Sequence, residues 1–378
     1  MKILVISSAA IQKSWQKKFE IIANDPSIQI TLLLPKFWIE NYRKIKVEIN
    51  SNSIINYVIG KTVWKGFGNR YFFLNKLYSI LRTLQPDIIH LEQEPWSLIA
   101  FQTVLFRNLV VPRSRIIFRT SRSFDHKLKF RRLTRVIEKY TYQNSDFALP
   151  LSQKAAQLLR QRGFKKRMEV IPNGVDTKLF RKRNGALMRK SLGIDSIFTI
   201  GYVGRFIKEK GLDILLKAVS GLSQDFRLLF VGEGPYKKEL VHLSNRFGIN
   251  EKLHLVGTIS PDQVPLYLNC MDILVLPSYK SSNWEEFFGR VLIEAMACEV
   301  SVIGSDSGEI PNVIGKAGII FESKSFDSLR KALERIMGNG NIRLDLGKMG
   351  RLLVKNCYSW ERISAKTKDV YFELLKRN

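Results

Sequence analysis

The sequence predicts an α/β protein built from two doubly wound, Rossmann-like domains facing a cleft. Three observations point there. Strand-like and helix-like stretches alternate along the chain, the pattern of mostly parallel sheets covered by helices. The alternation breaks at the turn Pro172-Asn173-Gly174 and then starts again. With 378 residues and an apolar fraction of 45%, the chain can bury two separate cores. The expected domains are 1–176 and 177–358, followed by a helical tail over 359–378.

Taken in order, Ile3 to Ile6 is a buried first strand, followed by a helix over Lys13 to Ala23 and a strand over Ile28 to Leu34. The N-terminal apolar run is too short for a signal peptide, and Gln12 to Lys18 supply polar and basic residues instead of a cleavage site. Residues 38–68 read as irregular. Tyr71 to Leu84 reads as an amphipathic helix ended by Pro86, and Asp87 to His90 as a short buried strand. Arg115 to Thr120 is a strand, and Leu128 to Tyr142 an amphipathic helix. On that helix Leu133, Val136, Ile137 and Tyr140 share one face, while Arg132, Arg135 and Lys139 share another. Lys127, Lys129 and Arg131 crowd its start. Phe147 to Pro150 is a strand, with Ser152 as a helix cap.

The second domain restarts with a strand at Phe198 to Val203. The loop Gly204 to Gly211 leads into a helix from Leu212. Strands follow at Arg227 to Val231, His254 to Val256 and Asp272 to Pro277. Gly232-Glu233-Gly234 begins a dinucleotide fingerprint, but Lys237 stands where its last glycine belongs, which counts against NAD binding. Beyond Pro311 come a strand at Gly318 to Phe321 and helices at Ser325 to Met337 and Trp360 to Lys376.

The net charge is +27, and it is unevenly placed. Residues 1–176 carry 30 Lys and Arg against 12 Asp and Glu, a net of +18; residues 177–378 carry 31 against 22, a net of +9. A basic surface implies an anionic partner. Three scattered cysteines without metal-like spacing point to reduced thiols in a cytoplasmic protein, and no uncharged run is long enough to span a bilayer. No nucleic-acid reader motif accompanies the charge.

The stretch Trp284 to Pro311 carries the chemistry. Glu286 and Glu294 bracket a loop-to-helix junction; were the segment fully helical, they would lie roughly 12 Å apart along its axis. Backbone N–H groups at Gly289 to Val291 would open a helix, where free donors and a partial positive charge suit a diphosphate. Arg205 and Lys210 lie on the loop after the first strand of the second domain, and two cations at such an edge neutralise a diphosphate. Glu92 and Glu94 follow a strand end, where ligands of open α/β sheets gather.

The two glutamates separated by seven residues, followed by Ala295-Met296-Ala297-Cys298, resemble the signature of the retaining glycosyltransferases of family 4, the glycosyl transferases group 1 of GT-B fold. The resemblance extends from about Asn173 to Pro311. It departs at Phe287, where the family commonly has glycine, and at Ser7 to Ala10, where it has a glycine loop. At Thr120-Ser121-Arg122 the family carries Thr-x-His. Arg122 can bind an oxygen but cannot act as a base, and His126 lies four residues on.

The resemblance implies transfer of a sugar from a nucleotide-sugar donor with retention, in cell-surface polysaccharide biosynthesis. In this reading Arg205, Lys210 and Glu286 are catalytic. The donor site adds Gly204, Thr258, Phe288, Gly289, Arg290, Val291 and Glu294. Arg122, Glu92 and Glu94 lie on the acceptor side. The final helix crosses back to the first domain. The nucleotide sugar is a substrate, no cofactor is implied, and the lack of any Asp-x-Asp pair argues against an obligatory metal. The acceptor is a lipid-linked sugar or a saccharide.

The cations near Arg132, Arg135 and Lys139, and aromatics such as Trp64-Lys65-Gly66-Phe67, suit an anionic membrane surface at the inner face of the cell membrane. A donor-binding pseudoenzyme and a basic nucleic-acid-binding protein are the alternatives.

Overall fold

Buried β-branched and leucine runs build two parallel sheets, each in its own unit. The computed structural model describes residues 1–40, 43–64, 66, 70–124 and 131–376. The chain divides into two compact units, Met1–Pro172 with Trp360–Asn378, and Asn173–Ser359. The expected start of the helix at 128–130, His126, Lys127, Lys129, Lys65 and Phe67 lie outside the described residues.

In the first unit the strands are β1 (Lys2–Ile6), β2 (Gln29–Pro35), β3 (Phe37–Glu40), β4 (Arg43–Lys46), β5 (Asn56–Gly60), β6 (Thr62–Val63), β7 (Phe72–Phe73), β8 (Ile88–Leu91), β9 (Arg115–Thr120), β10 (Phe147–Pro150) and β11 (Arg167–Met168). The helices are α1 (Lys13–Ala23), α2 (Leu77–Leu84), α3 (Leu98–Val110), α4 (Arg131–Asn144) and α5 (Gln153–Gln161). The main sheet runs β11-β10-β9-β8-β1-β2-β5, with every neighbour pair parallel. All four residues of β8 and of β10 are buried, as strands covered on both faces must be. The order reverses between β1 and β8, so the loops starting at Ser7 and Glu92 flank the switch point where such sheets bind ligands.

The second unit contains α6 (Ala186–Ser191), β12 (Thr199–Val203), α7 (Leu212–Val219), β13 (Arg227–Val231), α8 (Lys237–Arg246), β14 (Leu253–Val256), α9 (Val264–Leu268), β15 (Ile273–Leu276), α10 (Arg290–Ala297), β16 (Ser301–Ser305), α11 (Ile310–Ile314), β17 (Ile319–Phe321), α12 (Phe326–Met337) and α13 (Gly340–Leu353). Its sheet runs β14-β13-β12-β15-β16-β17, again parallel throughout. Here the order reverses between β12 and β15.

The last helix, α14 (Trp360–Leu375), belongs to the first unit. It lies along α1, and Trp360, Ile363, Val370, Tyr371 and Leu374 share one buried cluster with Phe19, Ile22 and the sheet residues Ile3, Val5 and Leu32. Each such buried side chain contributes roughly 1.5–3 kcal/mol. On the other face of the sheet, Leu77 and Leu81 of α2 and Ile99 and Val104 of α3 pack against Leu4, Ile89 and Phe118.

Three expectations are corrected. The span 38–68, expected to be irregular, carries β3 to β6, with β5 pairing onto β2 in the main sheet. The helix expected over Tyr71 to Leu84 starts only at Leu77. Phe72 and Phe73 form a strand against Thr62 and Val63, and the Gln102 side chain bonds both the N–H and the carbonyl of Phe73. On α4, Leu133 and Val136 do not face the core: they are 57% and 66% exposed, while Ile137, Glu138, Thr141 and Tyr142 are buried. Glu138 can be buried because Arg162 grips both its oxygens and the Tyr142 hydroxyl donates to it at 2.9 Å.

Candidate functional site

The second unit places its chemistry at its switch point. The loop after β12 holds Gly204, Arg205 and Lys210; the loop after β15 holds Ser278, Trp284 and Glu286. The buried Tyr202 hydroxyl donates to the Arg205 carbonyl at 2.9 Å, which pins the first loop. The Phe206 N–H donates to the Glu233 carbonyl at 2.9 Å, which ties that loop to the end of β13. Arg205 is exposed, with no carboxylate among the described residues at ion-pair distance. Lys210 turns inward instead. Its Nζ lies 2.5 Å from Glu286 Oε2 and 5.1 Å from the centre of the Trp284 ring. Ser278 Oγ donates to the same Glu286 oxygen at 3.0 Å. Burial, and next the Glu286 charge, push the Tyr202 hydroxyl well above its ordinary pKa, so it stays a neutral donor.

Between Glu286 and Cys298 only Arg290–Ala297 is helical; Glu286 to Gly289 is loop, so the axial spacing of a continuous helix does not apply. Gly289 enters the helix at φ +74°, and a Cβ there would lie 2.8 Å from Leu276 Cδ2. No side chain caps this N-terminus. Glu294 sits one turn in, its Oε1 2.9 Å from Arg290 Nε; burial pushes its carboxyl up and the guanidinium opposes that shift. Val291 is half-buried beside them, whereas Phe288 is buried edge-on against Tyr358 at 5.8 Å, a core position. Thr258 is exposed just past the end of β14. The sequence reading brought Lys210 and Glu286 into one site but missed Ser278, Trp284 and Tyr202. Of these, Ser278 carries a usable signal, because it follows a buried strand at the sheet's ligand-binding end.

In the first unit the expected acceptor-side residues are engaged by protein partners. Glu92 pairs with Lys18, and its oxygens lie 3.2 Å from His90 Nε2 and 3.5 Å from an Arg119 nitrogen. Burial alone would push its carboxyl up; Lys18 and Arg119 together outweigh this and hold it well below the carboxylate range. Burial also pulls His90 down to about 4, so it is neutral at pH 7, and its Nδ1 meets the Tyr371 hydroxyl at 2.6 Å. Glu94 accepts from Thr120 Oγ1 at 2.5 Å and from the Ser121 N–H and hydroxyl at 2.9 and 2.8 Å. Arg122 is only 5% exposed. Its guanidinium lies 5.7 Å from the Trp96 ring centre and 3.7 Å from Glu138. Glu92, Glu94 and Arg122 thus brace the strand ends, and Glu92 also lines a small cavity with Ser7, Lys18 and Arg119. Lys18, Arg119 and Tyr371 were not singled out in the sequence, because three separate elements bring them together.

On the same unit, Arg132, Arg135 and Lys139 are exposed on α4 together with Leu133 and Val136. They border a groove of about 630 Å³ whose other wall includes Lys165 and Lys166. No described helix is long and apolar enough to cross a membrane.

The model of the glycosyl transferases group 1 matches residues 186–353, and that of glycosyltransferase family 4 matches residues 46–179. The chain is 31% identical over 219 residues to the capsular polysaccharide biosynthesis glycosyltransferase CapM of Staphylococcus aureus, covering 54% of each chain. It is 27% identical over 211 residues to a GDP-mannose-dependent α-(1-6)-phosphatidylinositol monomannoside mannosyltransferase of Mycobacterium tuberculosis, covering 53% of this chain and 55% of that one. The chain thus spans about half the length of these relatives. Anabaena HepE, solved in complex with UDP, superposes with a TM-score of 0.79 at 16% identity, over 99% of this chain and 100% of that one. That likeness shows the fold, which is GT-B. With both halves matched by family models and both sheets in place, the chain belongs to glycosyltransferase family 4, the glycosyl transferases group 1.

Proposed function

We propose that the protein is a retaining, metal-independent glycosyltransferase that moves a sugar from a nucleotide sugar to a lipid-linked or saccharide acceptor in cell-surface polysaccharide biosynthesis. The observation that carries this is the meeting of Lys210 and Glu286 at the switch point, beside the exposed Arg205 and an uncapped helix start. In this reading Arg205 and Lys210 stabilise the diphosphate as the bond to the anomeric carbon breaks. The backbone at Gly289 to Val291 adds donors to the phosphates. Glu286 holds sugar hydroxyls, and Glu294 holds the ribose. Support comes from CapM and from the mannosyltransferase, whose names describe capsular polysaccharide synthesis and a GDP-mannose donor, and from HepE, solved with UDP.

A panel of UDP- and GDP-sugars in a thermal melt tests the reading. One donor class should stabilise the protein, by about 2.7 kcal/mol at a hundred times its Kd. A protein that no nucleotide sugar stabilises, but that oligonucleotides bind in a salt-sensitive way, would refute it. A donor that binds without turnover on any acceptor would leave only the pseudoenzyme.

In this reading the acceptor sits at an anionic membrane, and the protein is cytoplasmic and peripheral at its inner face. Leu133 and Val136 would enter the interface while Arg132, Arg135 and Lys139 meet headgroups, each cation contributing roughly 1 kcal/mol. Co-sedimentation should require acidic vesicles, fall as salt rises, and be lost when Arg132, Arg135 and Lys139 are all changed to Glu. Protein left in the supernatant with acidic vesicles at low salt would end the membrane reading.

A further inference from the structure

In the proposed donor site the two opposite charges are paired with each other. Lys210 and Glu286 neutralise each other at 2.5 Å, with their side chains only 13% and 12% exposed. Glu286 is also fixed from behind. Its carbonyl accepts from the Glu309 N–H at 3.1 Å, and a Cβ on Gly308 would lie 2.2 Å from that carbonyl oxygen. The Glu286 carboxylate keeps the Ser278 hydroxyl, which donates to Oε2 at 3.0 Å, as a partner when Lys210 is taken away. A diphosphate that takes Lys210 must break the pair and settle beside the carboxylate it leaves.

This penalty differs between donor and product. Both phosphates of a nucleotide sugar are esterified, so the outer one carries one negative charge. When the anomeric C–O bond breaks, the electron pair stays on that phosphate. It becomes a terminal group with a second ionisation near pH 6, hence close to two charges at neutral pH. The donor also brings sugar hydroxyls that can donate to the abandoned carboxylate, and the product has none.

We infer that Glu286 drives product release: once the sugar has left, it recaptures Lys210 and lowers the site's affinity for the nucleoside diphosphate relative to the nucleotide sugar. The inference rests on the donor-site reading above and adds to it a second role for Glu286, opposed to binding.

Calorimetry with UDP, GDP, UDP-glucose and GDP-mannose tests it on the wild type, Glu286→Gln, Lys210→Met and the double variant. Wild type should bind the sugar ester more tightly than the bare diphosphate, against the order that charge alone gives at a basic site. Glu286→Gln should bind the diphosphate roughly tenfold more tightly, as expected when Lys210 no longer has to leave a mostly buried ion pair, with no gain for the sugar ester. In the Lys210→Met background that gain should shrink, because there is no lysine to recapture. A Glu286→Gln variant that binds the diphosphate no more tightly than wild type overturns the inference. So does a gain undiminished without Lys210, which would be simple repulsion. If no diphosphate or sugar ester binds wild type, the donor-site reading falls and takes this inference with it.

Discussion

Replacing Lys210 with alanine lowers kcat/KM at least about 100-fold, and Arg205→Ala has an effect of the same order. Loss of one preorganised charge contact to developing charge costs roughly 3–4 kcal/mol at the transition state. Two features make the Lys210 effect large. Its ammonium is mostly withdrawn from water over the Trp284 ring, where charge interactions are screened less than at a free surface. Its side chain is also already ordered against Glu286, so little rotamer freedom is lost when it passes to the diphosphate. Arg205 is exposed, and its contribution falls more steeply with salt. Arg205→Ala removes an exposed side chain, so its melting temperature should move little; Lys210→Ala leaves the mostly buried Glu286 with Ser278 as a partner and should lower the midpoint by more. Steady-state rates of folded variants decide the matter: near wild-type kcat/KM in both would remove these residues from the chemistry.

Glu92→Ala destabilises the first unit by roughly 3–5 kcal/mol, the cost of leaving a buried partner uncompensated. Lys18 is only 5% exposed, and its pKa is already pulled down by burial, against which Glu92 is the main opposing charge. Arg119 loses the same carboxylate. Since 1 kcal/mol moves the midpoint of a domain this size by roughly 2–4 °C, the first unit should melt roughly 6–20 °C below wild type. Glu92→Gln should be nearly as costly, because charge rather than shape is missing. Glu94→Ala should cost less, about 1–3 kcal/mol, since its partners Thr120 and Ser121 are neutral. A Glu92→Ala midpoint within a few degrees of wild type would show that Lys18 reaches water and the network is dispensable.

The strands were legible because strands covered on both faces leave continuous apolar runs, as in β9 and β10. Elements that answer to distant partners were not. Nothing local distinguishes Phe72 and Phe73 from the helix that follows; Gln102 decides it. The α3 sequence is apolar on nearly every side, so it shows little periodicity, although Ser97 caps it as a serine should. The glycines of α13 argue against a helix by propensity. They are needed because a Cβ at Gly347 would lie 2.3 Å from the Glu299 carbonyl and one at Gly350 2.8 Å from Met296 Cγ. On α4 periodicity reveals the stripes but not which one is buried. Glu138 goes inside because Arg162, on the far side of a strand and a helix, meets it there. The candidate site divides the same way. The resemblance to the family signature marks Glu286 and Glu294, and together with loop position it marks Arg205 and Lys210. That Glu92 is taken by Lys18, His90 and Arg119 could not be seen without the fold, since those residues come from three elements.

The return of α14 to the first unit has a consequence for how the protein is made. Residues 173–359 emerge from the ribosome as an uninterrupted piece with a core of their own. The first unit is not so provided: Trp360, Ile363, Val370, Tyr371 and Leu374 fill its core, and Tyr371 closes the hydrogen bond to His90. At a synthesis rate of about 5–20 residues per second, its nascent sheet waits on the order of 10–40 s for those side chains. During that interval the apolar face of α1 and a buried histidine lack their cover, so the part synthesised first is completed last. It is therefore the segment on which chaperones would act.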